Sequence, residues 1–505
     1  MKLYLDLDNY DYQPERYKYA VEQMMLTLFP EERPEYPPRE GRTLKGETNA
    51  ARFTLRRSPV WTTVRAQVYR PQGMGQAAVR VGSGELDRPP EQVYHTLQHA
   101  LKMAFYQAGT ALLGGEPPWG ALTGVRPVKL PTRAMLAGAA PKQAQRELER
   151  DFRVSPVRAA LAVDCAKASL AVDREVRDDQ VSVYIGVPFC PTRCAYCSFV
   201  SADVGRTLKL VEPYLEGVLR EIAVTGESLR RAGKTVHSLY VGGGTPTTLS
   251  ASQLTKLLEA VRRDLPVEHC VEYTVEAGRP DTIDREKLLA LREAGIGRIS
   301  INPQTLEDTV LQAIGRRHSA QDILDAYALA REVGFDSINM DLIAGLPRDS
   351  FEGFCRSLNG VLALEPENVT VHTLALKKGS RLMEQGGALP SGEETARMLD
   401  YSLERLSGKG YLPYYLYRQK YMSGSLENVG WCLPGQESVY NIIMMEELQT
   451  VVSIGGGGVT KLVDRAAGTI VRQPNPKYPH DYLAALDRVL SQKEELAAHF
   501  LPTQN

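Results

Sequence analysis

No stretch of this 505-residue chain reaches the roughly 18 uninterrupted apolar residues that cross a bilayer as a helix, so no transmembrane segment is expected. Its opening residues, Met1 to Asp8, alternate apolar with charged side chains and lack the apolar core of a secretion signal; the expectation is a cytoplasmic protein. An excess of either charge is missing too. Lys and Arg number 60 against 61 Asp and Glu, and a net charge of −1 leaves no long-range field to grip a phosphate backbone, which sets nucleic-acid binding aside. Seven cysteines are too few and too odd in number for a disulfide scaffold, so any cluster among them points to a metal or redox role. Internal repeats and low-complexity tracts are absent as well. What remains is the balance of a globular protein, 43% hydrophobic and 24% charged.

Three regions separate by pattern. Residues 1–178 open with an alternating strand (Lys2 to Leu7) and a helical stretch (Tyr17 to Leu28). A strand (Val60 to Tyr69) and a long helix over Glu91 to Leu113 follow, the helix with Val93, Leu97, Leu101, Phe105 and Ala108 spaced by three or four. This reads as an α+β domain without an assignable role. Residues 179–378 change rhythm. Apolar runs at Val181–Val187, Ser238–Val241, Tyr273–Ala277, Arg298–Asn302, Ser337–Leu346 and Val369–Leu376 alternate with helical stretches near 207–232, 250–264, 282–294, 305–314, 319–333 and 350–364. Six strands alternating with six helices predict parallel βαβ units and an α/β fold, with chemistry at the C-terminal ends of the strands. Residues 379–505 read as a mixed α/β extension that covers the substrate, with a Tyr-rich stretch (Tyr411 to Tyr421) and a glycine run (Gly455 to Gly458).

Cys190, Cys194 and Cys197 follow the first of those strands, in Tyr184-Ile-Gly-Val-Pro-Phe-Cys-Pro-Thr-Arg-Cys-Ala-Tyr-Cys197. Spacings of four and three let one loop wrap three thiolates around an iron–sulfur cube, leaving one iron open to a cofactor. A zinc site is the competing reading, but zinc sites usually pair C-x₂-C halves and no second pair exists here. Cys165, Cys270, Cys355 and Cys432 are isolated and read as small core residues. At the second strand end, Val241-Gly242-Gly243-Gly244-Thr245-Pro246-Thr247 strips away side chains so that backbone groups can approach a polar ligand. Glu276, Gln304 and Asp341 stand at the ends of the third, fourth and fifth strands, and Arg316 lies twelve residues beyond Gln304. Acidic residues inside apolar strands are costly to bury unless paired, and several together favour a polar ligand in the barrel mouth.

The C-x₃-C-x₂-C loop after the first strand of a βα series, with Tyr196 before the last cysteine, resembles the radical S-adenosylmethionine (SAM) superfamily. That resemblance implies a partial (β/α)6, TIM-like barrel and a [4Fe–4S] cluster whose open iron chelates SAM, which one electron cleaves to a 5′-deoxyadenosyl radical. Gly-Gly-Gly-Thr-Pro-Thr, Glu276, Gln304 with Arg316, and Asp341-Leu-Ile-Ala-Gly-Leu-Pro347 narrow the likeness to the oxygen-independent coproporphyrinogen III dehydrogenase group. The length, the long N-terminal part and the Trp119–Lys129 segment are most similar to its HemZ-type subgroup. The resemblance implies oxidative decarboxylation of two propionates of coproporphyrinogen III to the vinyls of protoporphyrinogen IX. It also implies a tetrapyrrole substrate, a reductant such as flavodoxin or ferredoxin, an electron acceptor, and one or two SAM molecules.

By position, the cluster falls to Cys190, Cys194 and Cys197, and the first SAM to Tyr184, Gly243, Glu276 and Arg316. Tyr196, Gly244, Thr245, Gln304, Asp341 and Thr373 then serve one or other SAM. Arg126, Lys129, Lys377 and Lys378 are propionate partners by charge alone. Haem-binding relatives carry a His-Asn-x-x-Tyr-Trp motif where this chain has Glu427-Asn428-Val429-Gly430-Trp431, with Glu in place of the haem-ligating His. Alternatives within the resemblance are another tetrapyrrole-directed reaction, methyl transfer or haem degradation, and a haem chaperone-like protein.

Overall fold

The computed structural model describes residues 1–7, 14–37, 46–197, 202–375, 380–382, 389–419 and 426–500. Lys377 and Lys378 lie outside them. Contacts gather the chain into two compact units, Met1–Val163 with Arg418–Leu426, and Asp164–Tyr417 with Glu427–Asn505. Among the described residues no helix is long and apolar enough to cross a membrane.

In the first unit, β1 (Lys2–Asp6) runs parallel to β2 (Ala50–Arg57), and β3 (Trp61–Arg70) and β4 (Gly73–Gly82) continue the sheet antiparallel. Helices α1 (Glu15–Leu28) and α2 (Pro90–Leu113) supply its core. The apolar stripe of α2 does what its spacing predicts: Leu97, Leu101, Phe105 and Ala108 are fully buried against Phe53, Val64, Ala66 and Val68. Helix and sheet approach so closely that a Cβ on Gly75 would lie 1.9 Å from the Ala108 carbonyl oxygen.

The second unit is built on an eleven-stranded sheet. All six expected strands are present: β5 (Gln180–Val187), β8 (Thr235–Gly243), β9 (Glu272–Gly278), β10 (Arg298–Ile301), β11 (Ser337–Ala344) and β12 (Asn368–Thr373). They pair side by side in parallel, in chain order. Helices α6 (Val204–Arg231), α7 (Ala251–Asp264), α8 (Arg285–Glu293), α9 (Asp308–Ala313), α10 (Ala320–Val333) and α11 (Phe351–Ala363) make the crossovers that parallel strands require. Their starts are written in the sequence. Ser250, Asp284, Ser319 and Ser350 each accept a hydrogen bond from the backbone N–H three residues on, at the N-caps of α7, α8, α10 and α11. A short ladder of β6 (Phe189–Cys190) with β7 (Ala202–Asp203) closes the loop between β5 and α6.

Residues beyond 379 contribute strands to both edges of this sheet. On one side β14 (Glu427–Cys432) pairs antiparallel with β12, and β13 (Leu412–Arg418) lies outside it. On the other side β15 (Val451–Gly455) joins β5 in parallel, followed by β16 (Val459–Asp464) and β17 (Thr469–Pro474). The string Glu427 to Trp431, singled out as the place of the haem-ligating motif, is part of a buried strand. The reason is close packing: a Cβ on Gly430 would lie 1.9 Å from the Tyr415 ring.

The glycine run sits beside the end of β5, where Gly455 is in register with Gly186. It is held there by a buried polar network. The Glu221 carboxylate on α6, fully buried, accepts from the Gly455 N–H (2.8 Å), the Tyr482 hydroxyl (2.6 Å) and Asn475 Nδ2 (3.0 Å), with Lys493 Nζ at 3.5 Å. Tyr214 donates to the Gly186 carbonyl (2.7 Å) and accepts from the Gly456 N–H (2.6 Å). Gly455 and Gly457 both take φ of +81°, a conformation that side-chain-bearing residues rarely adopt. Removing one partner of a buried ion pair costs about 3–5 kcal/mol because the other charge is stranded. Glu221→Gln should therefore lower stability in urea unfolding by about that amount; a variant as stable as wild type would show that the network does not hold this edge.

Candidate functional site

Paired residues on adjacent parallel strands point to the same face, so register decides which side chains meet. Tyr184 on β5 pairs with Tyr240 on β8 and with Ser453 on β15. Glu276 on β9 pairs with Ser300 on β10, which pairs with Asn339 on β11; Asp341 pairs with Thr370 on β12, two residues before His372. One face of the sheet thus carries Tyr184, Tyr240, Glu276, Asn339, Asp341 and His372. These six are partly exposed, whereas the residues alternating with them, such as Val183, Leu239, Val275, Met340 and Val371, are fully buried. The inner face is an open polar surface and the outer face a packed core.

Two acids lie on that surface, and among the described residues no Lys or Arg is bonded to either. Tyr240 donates to Glu276 Oε1 at 2.6 Å, and its ring stacks on Tyr440 (4.7 Å between centroids) and more loosely on Tyr184 (6.3 Å). Burial pushes the Glu276 carboxyl up to about 7, against the Tyr240 hydrogen bond and with the charge of Asp341 adding to the rise. Burial also opposes ionisation of Asp341, but hydrogen bonds from His372, Asn339 and Thr370 outweigh it and hold that carboxyl below its usual range. Asn339 Nδ2 lies 2.8 Å from Asp341 Oδ1, and His372 Nε2 lies 3.6 Å from Oδ2. Unbalanced negative charge in a tyrosine-lined recess suits a cationic ligand.

The cysteine loop joins this surface at the end of β5. Gly244 N–H donates to the Val187 carbonyl (2.9 Å) and Thr245 N–H to the Phe189 carbonyl (2.7 Å), so the glycine turn lies directly on the loop's first residues. A Cβ on Gly244 would come within 2.4 Å of the Phe189 oxygen, and Gly243 takes φ of +115°. Thr245 Oγ1 lies 3.5 Å from Cys190 Sγ. Further along, Ala195 N–H donates to the Ile314 carbonyl (2.9 Å), and Arg316 Nη2 reaches the Tyr196 hydroxyl (3.2 Å) while Nη1 bonds the Asn302 carbonyl (2.6 Å). The Arg316 guanidinium is buried against Tyr196 and Cys194, and among the described residues its Nε has no partner. Among the described residues no three His, Cys, Asp or Glu side chains converge on a single ion. Thiolates that each bind a different iron of a cube need not converge, whereas ligands of one zinc must. Cys165, Cys194, Cys270, Cys355 and Cys432 are free thiols. Burial raises the thiols of Cys165, Cys270, Cys355 and Cys432; Cys165 and Cys432 are core residues as expected, whereas Cys270 and Cys355 are only partly buried.

Gln304 is placed by backbone rather than side chain. At φ of +69° it donates its N–H to the Asp341 carbonyl (2.8 Å) and accepts from Ile343 N–H (3.0 Å), stitching the end of β10 to β11. Thr373 faces away from Asp341. Its hydroxyl donates to the Glu427 carbonyl (2.7 Å) and its N–H to Asn428 Oδ1 (2.9 Å), so both groups are engaged by β14. His372 takes the inward position instead. Tyr240, Asn339 and His372 are the site residues that motif reading missed; strand alternation was an available signal for Asn339, two residues before Asp341, whereas Tyr240 and His372 come to the site through strand pairing. Arg126 and Lys129 belong to the first unit.

A carboxyl held higher in the folded than in the unfolded chain costs stability as pH rises from its unfolded value of about 4.5 to its folded value of about 7. Glu276→Gln removes that cost. The variant should unfold at higher temperature than wild type above pH 7, with the difference shrinking toward pH 5; an equal difference at every pH would show that Glu276 does not titrate in this window.

The radical SAM superfamily pattern matches residues 184–358. The oxygen-independent coproporphyrinogen-III oxidase-like protein HemZ of Bacillus subtilis (strain 168) is 39% identical over 412 residues, 81% of this chain and 82% of that protein. The haem chaperone HemW of the same strain is 35% identical over 46% of this chain and 62% of its own length. The oxygen-independent coproporphyrinogen III oxidase of Pseudomonas aeruginosa is 33% identical over 46% of this chain and 51% of its own length. The solved structure of coproporphyrinogen III oxidase (HemN) from Escherichia coli, a radical SAM enzyme, matches with a TM-score of 0.50 at 23% identity, over 64% of this chain and 72% of that one.

Proposed function

This chain belongs to the radical SAM superfamily and, within it, to the HemZ-type oxygen-independent coproporphyrinogen III oxidase-like family, and from that premise we propose that it oxidatively decarboxylates the propionates of coproporphyrinogen III without oxygen. Its cofactors are those of the superfamily, a [4Fe–4S] cluster and SAM. Together they supply a primary alkyl radical, which can take a hydrogen atom from an unactivated propionate carbon where acid–base side chains cannot. For each vinyl formed the substrate loses one hydrogen atom, carbon dioxide and one electron. The electron leaves to an acceptor, and a reductant such as flavodoxin or ferredoxin provides the electron that starts the cycle.

The observation that carries this reading is the meeting of the cysteine loop with an acidic, tyrosine-lined strand face at one end of the barrel. Cys190, Cys194 and Cys197 would hold the cluster, with Arg316 as a buried cation beside the thiolates and its free Nε available to a carboxylate. Glu276, Gly243 and Tyr184 would take the amino group and ring systems of the first SAM, with Tyr240 orienting Glu276. Asp341, set in place by His372 and Asn339, would serve a ribose or a second SAM. Tyr196, Gly244, Thr245 and the Gln304 backbone shape the walls. Relatives include haem chaperones as well as oxidases, so haem binding is the second reading. The place of the haem-ligating motif weighs against it: Glu427 is 2% exposed in the middle of a sheet, and a carboxylate is an unusual haem ligand.

Anaerobically reconstituted protein with reductant, SAM and coproporphyrinogen III should release 5′-deoxyadenosine and form vinyl product. Cys194→Ala should abolish both while the chain remains folded by circular dichroism. SAM cleavage without decarboxylated product would redirect the reading to methyl transfer or haem degradation, and a stoichiometric haem Soret band without SAM cleavage would favour the chaperone.

A further inference from the structure

Arg279 stands immediately after β9, three residues past Glu276, in a stretch that no motif singles out. It is only 3% exposed, and burying a guanidinium is costly unless each of its edges is engaged. One edge forks onto Asp281, with Nε to Oδ1 at 2.9 Å and Nη2 to Oδ2 at 2.8 Å. The other reaches across to the cysteine loop, where Nη1 donates to Thr192 Oγ1 at 2.8 Å and to the Thr192 carbonyl at 3.1 Å. Thr192 is the middle residue of the three that separate Cys190 from Cys194. His318, a ring 1% exposed just ahead of α10, sets its Nδ1 3.6 Å from Asp281 Oδ1, a contact longer than a hydrogen bond.

The other anchors of this loop lie at its two ends. Thr245 and the glycine turn hold Phe189 and Cys190, while the Ile314 carbonyl and Arg316 hold Ala195 and Tyr196. Arg279 grips the middle. A planar fork suits this because it can serve a carboxylate with one edge and an oxygen pair with the other, whereas a lysine offers a single point of contact.

We propose that Arg279, oriented by Asp281, is a positioning residue that fixes the distance between Cys190 and Cys194 and so retains the cluster on the protein. The inference rests on the reading that Cys190, Cys194 and Cys197 hold the cluster. Partners that orient metal ligands from outside the coordination sphere typically cost 10–100-fold in metal affinity when removed. Arg279→Met keeps the bulk and removes the fork.

The test is the rate at which an iron chelator strips the anaerobically reconstituted full-length chain, together with the electron paramagnetic resonance spectrum of the reduced cluster with and without SAM. Arg279→Met should still assemble a cluster but release iron about 10–100-fold faster than wild type, with an altered spectrum. Arg279→Lys should fall between, because it keeps the charge and loses the fork. An Arg279→Met chain with wild-type release and spectrum would overturn the proposal. If Arg279→Met does not fold, Asp281→Asn decides by the same measurements: faster release supports the orienting chain, and unchanged release overturns it. Failure of the underlying site reading looks different, because wild type would then assemble no cluster or Cys194→Ala would assemble one normally.

Discussion

The register of the parallel strands is the constraint on which the rest depends. Side chains alternate across a sheet, so a slip of one residue in β9 or β11 would turn Glu276 or Asp341 into the packed outer face and bring an aliphatic residue inward. What prevents the slip is the outer face itself. Val183, Leu239, Val275, Ile299 and Met340 are all fully buried there, and each is worth about 1.5–3 kcal/mol relative to exposure. The apolar half of each strand therefore pins the polar half in place. The packing of the outer face, rather than the interactions of the two carboxylates themselves, decides where Glu276 and Asp341 sit.

The second layer of organisation is at the strand ends, where the backbone is bent to bring loops together. Gly243, Gln304 and Gly455 all take positive φ, and each marks a place where a strand stops and its last peptide groups are redirected onto a neighbour. The Glu221 network does the same for the edge formed by β15, using buried charge where the glycine run has no side chains to pack. The cysteine loop is the extreme case. It makes only a two-residue ladder and relies on side chains and peptide groups from β8, β9 and the segment after α9 to hold its shape.

Relatives of this chain bear names for different activities on a shared barrel, which is intelligible from this arrangement. Cysteine loop, glycine turn and the two strand-end acids Glu276 and Asp341 lie within the stretch that the superfamily pattern matches, whereas the strands that flank the core come from the C-terminal part. A buried strand at Glu427–Cys432 fits a chain that uses this segment to complete its sheet. The cofactors follow from the family, while the particular reaction is a proposal.

Much of this was legible in the chain itself. Alternating βα rhythm, Ser and Asp helix caps, the C-x₃-C-x₂-C spacing and the triple glycine are local signals, because each reflects a propensity or a geometry contained within a few consecutive residues. The residues found only in the folded chain are those whose roles require partners far away in sequence. Tyr240 matters because strand pairing sets it beside Glu276, His372 rather than Thr373 because the pleat turns alternate residues apart, and Arg279 because it meets Thr192 some ninety residues upstream. The strands β14 and β15, which flank the six parallel strands, belong to the same class. Motif and periodicity are written in neighbouring residues, whereas register and long-range contact exist only once the sheet has formed.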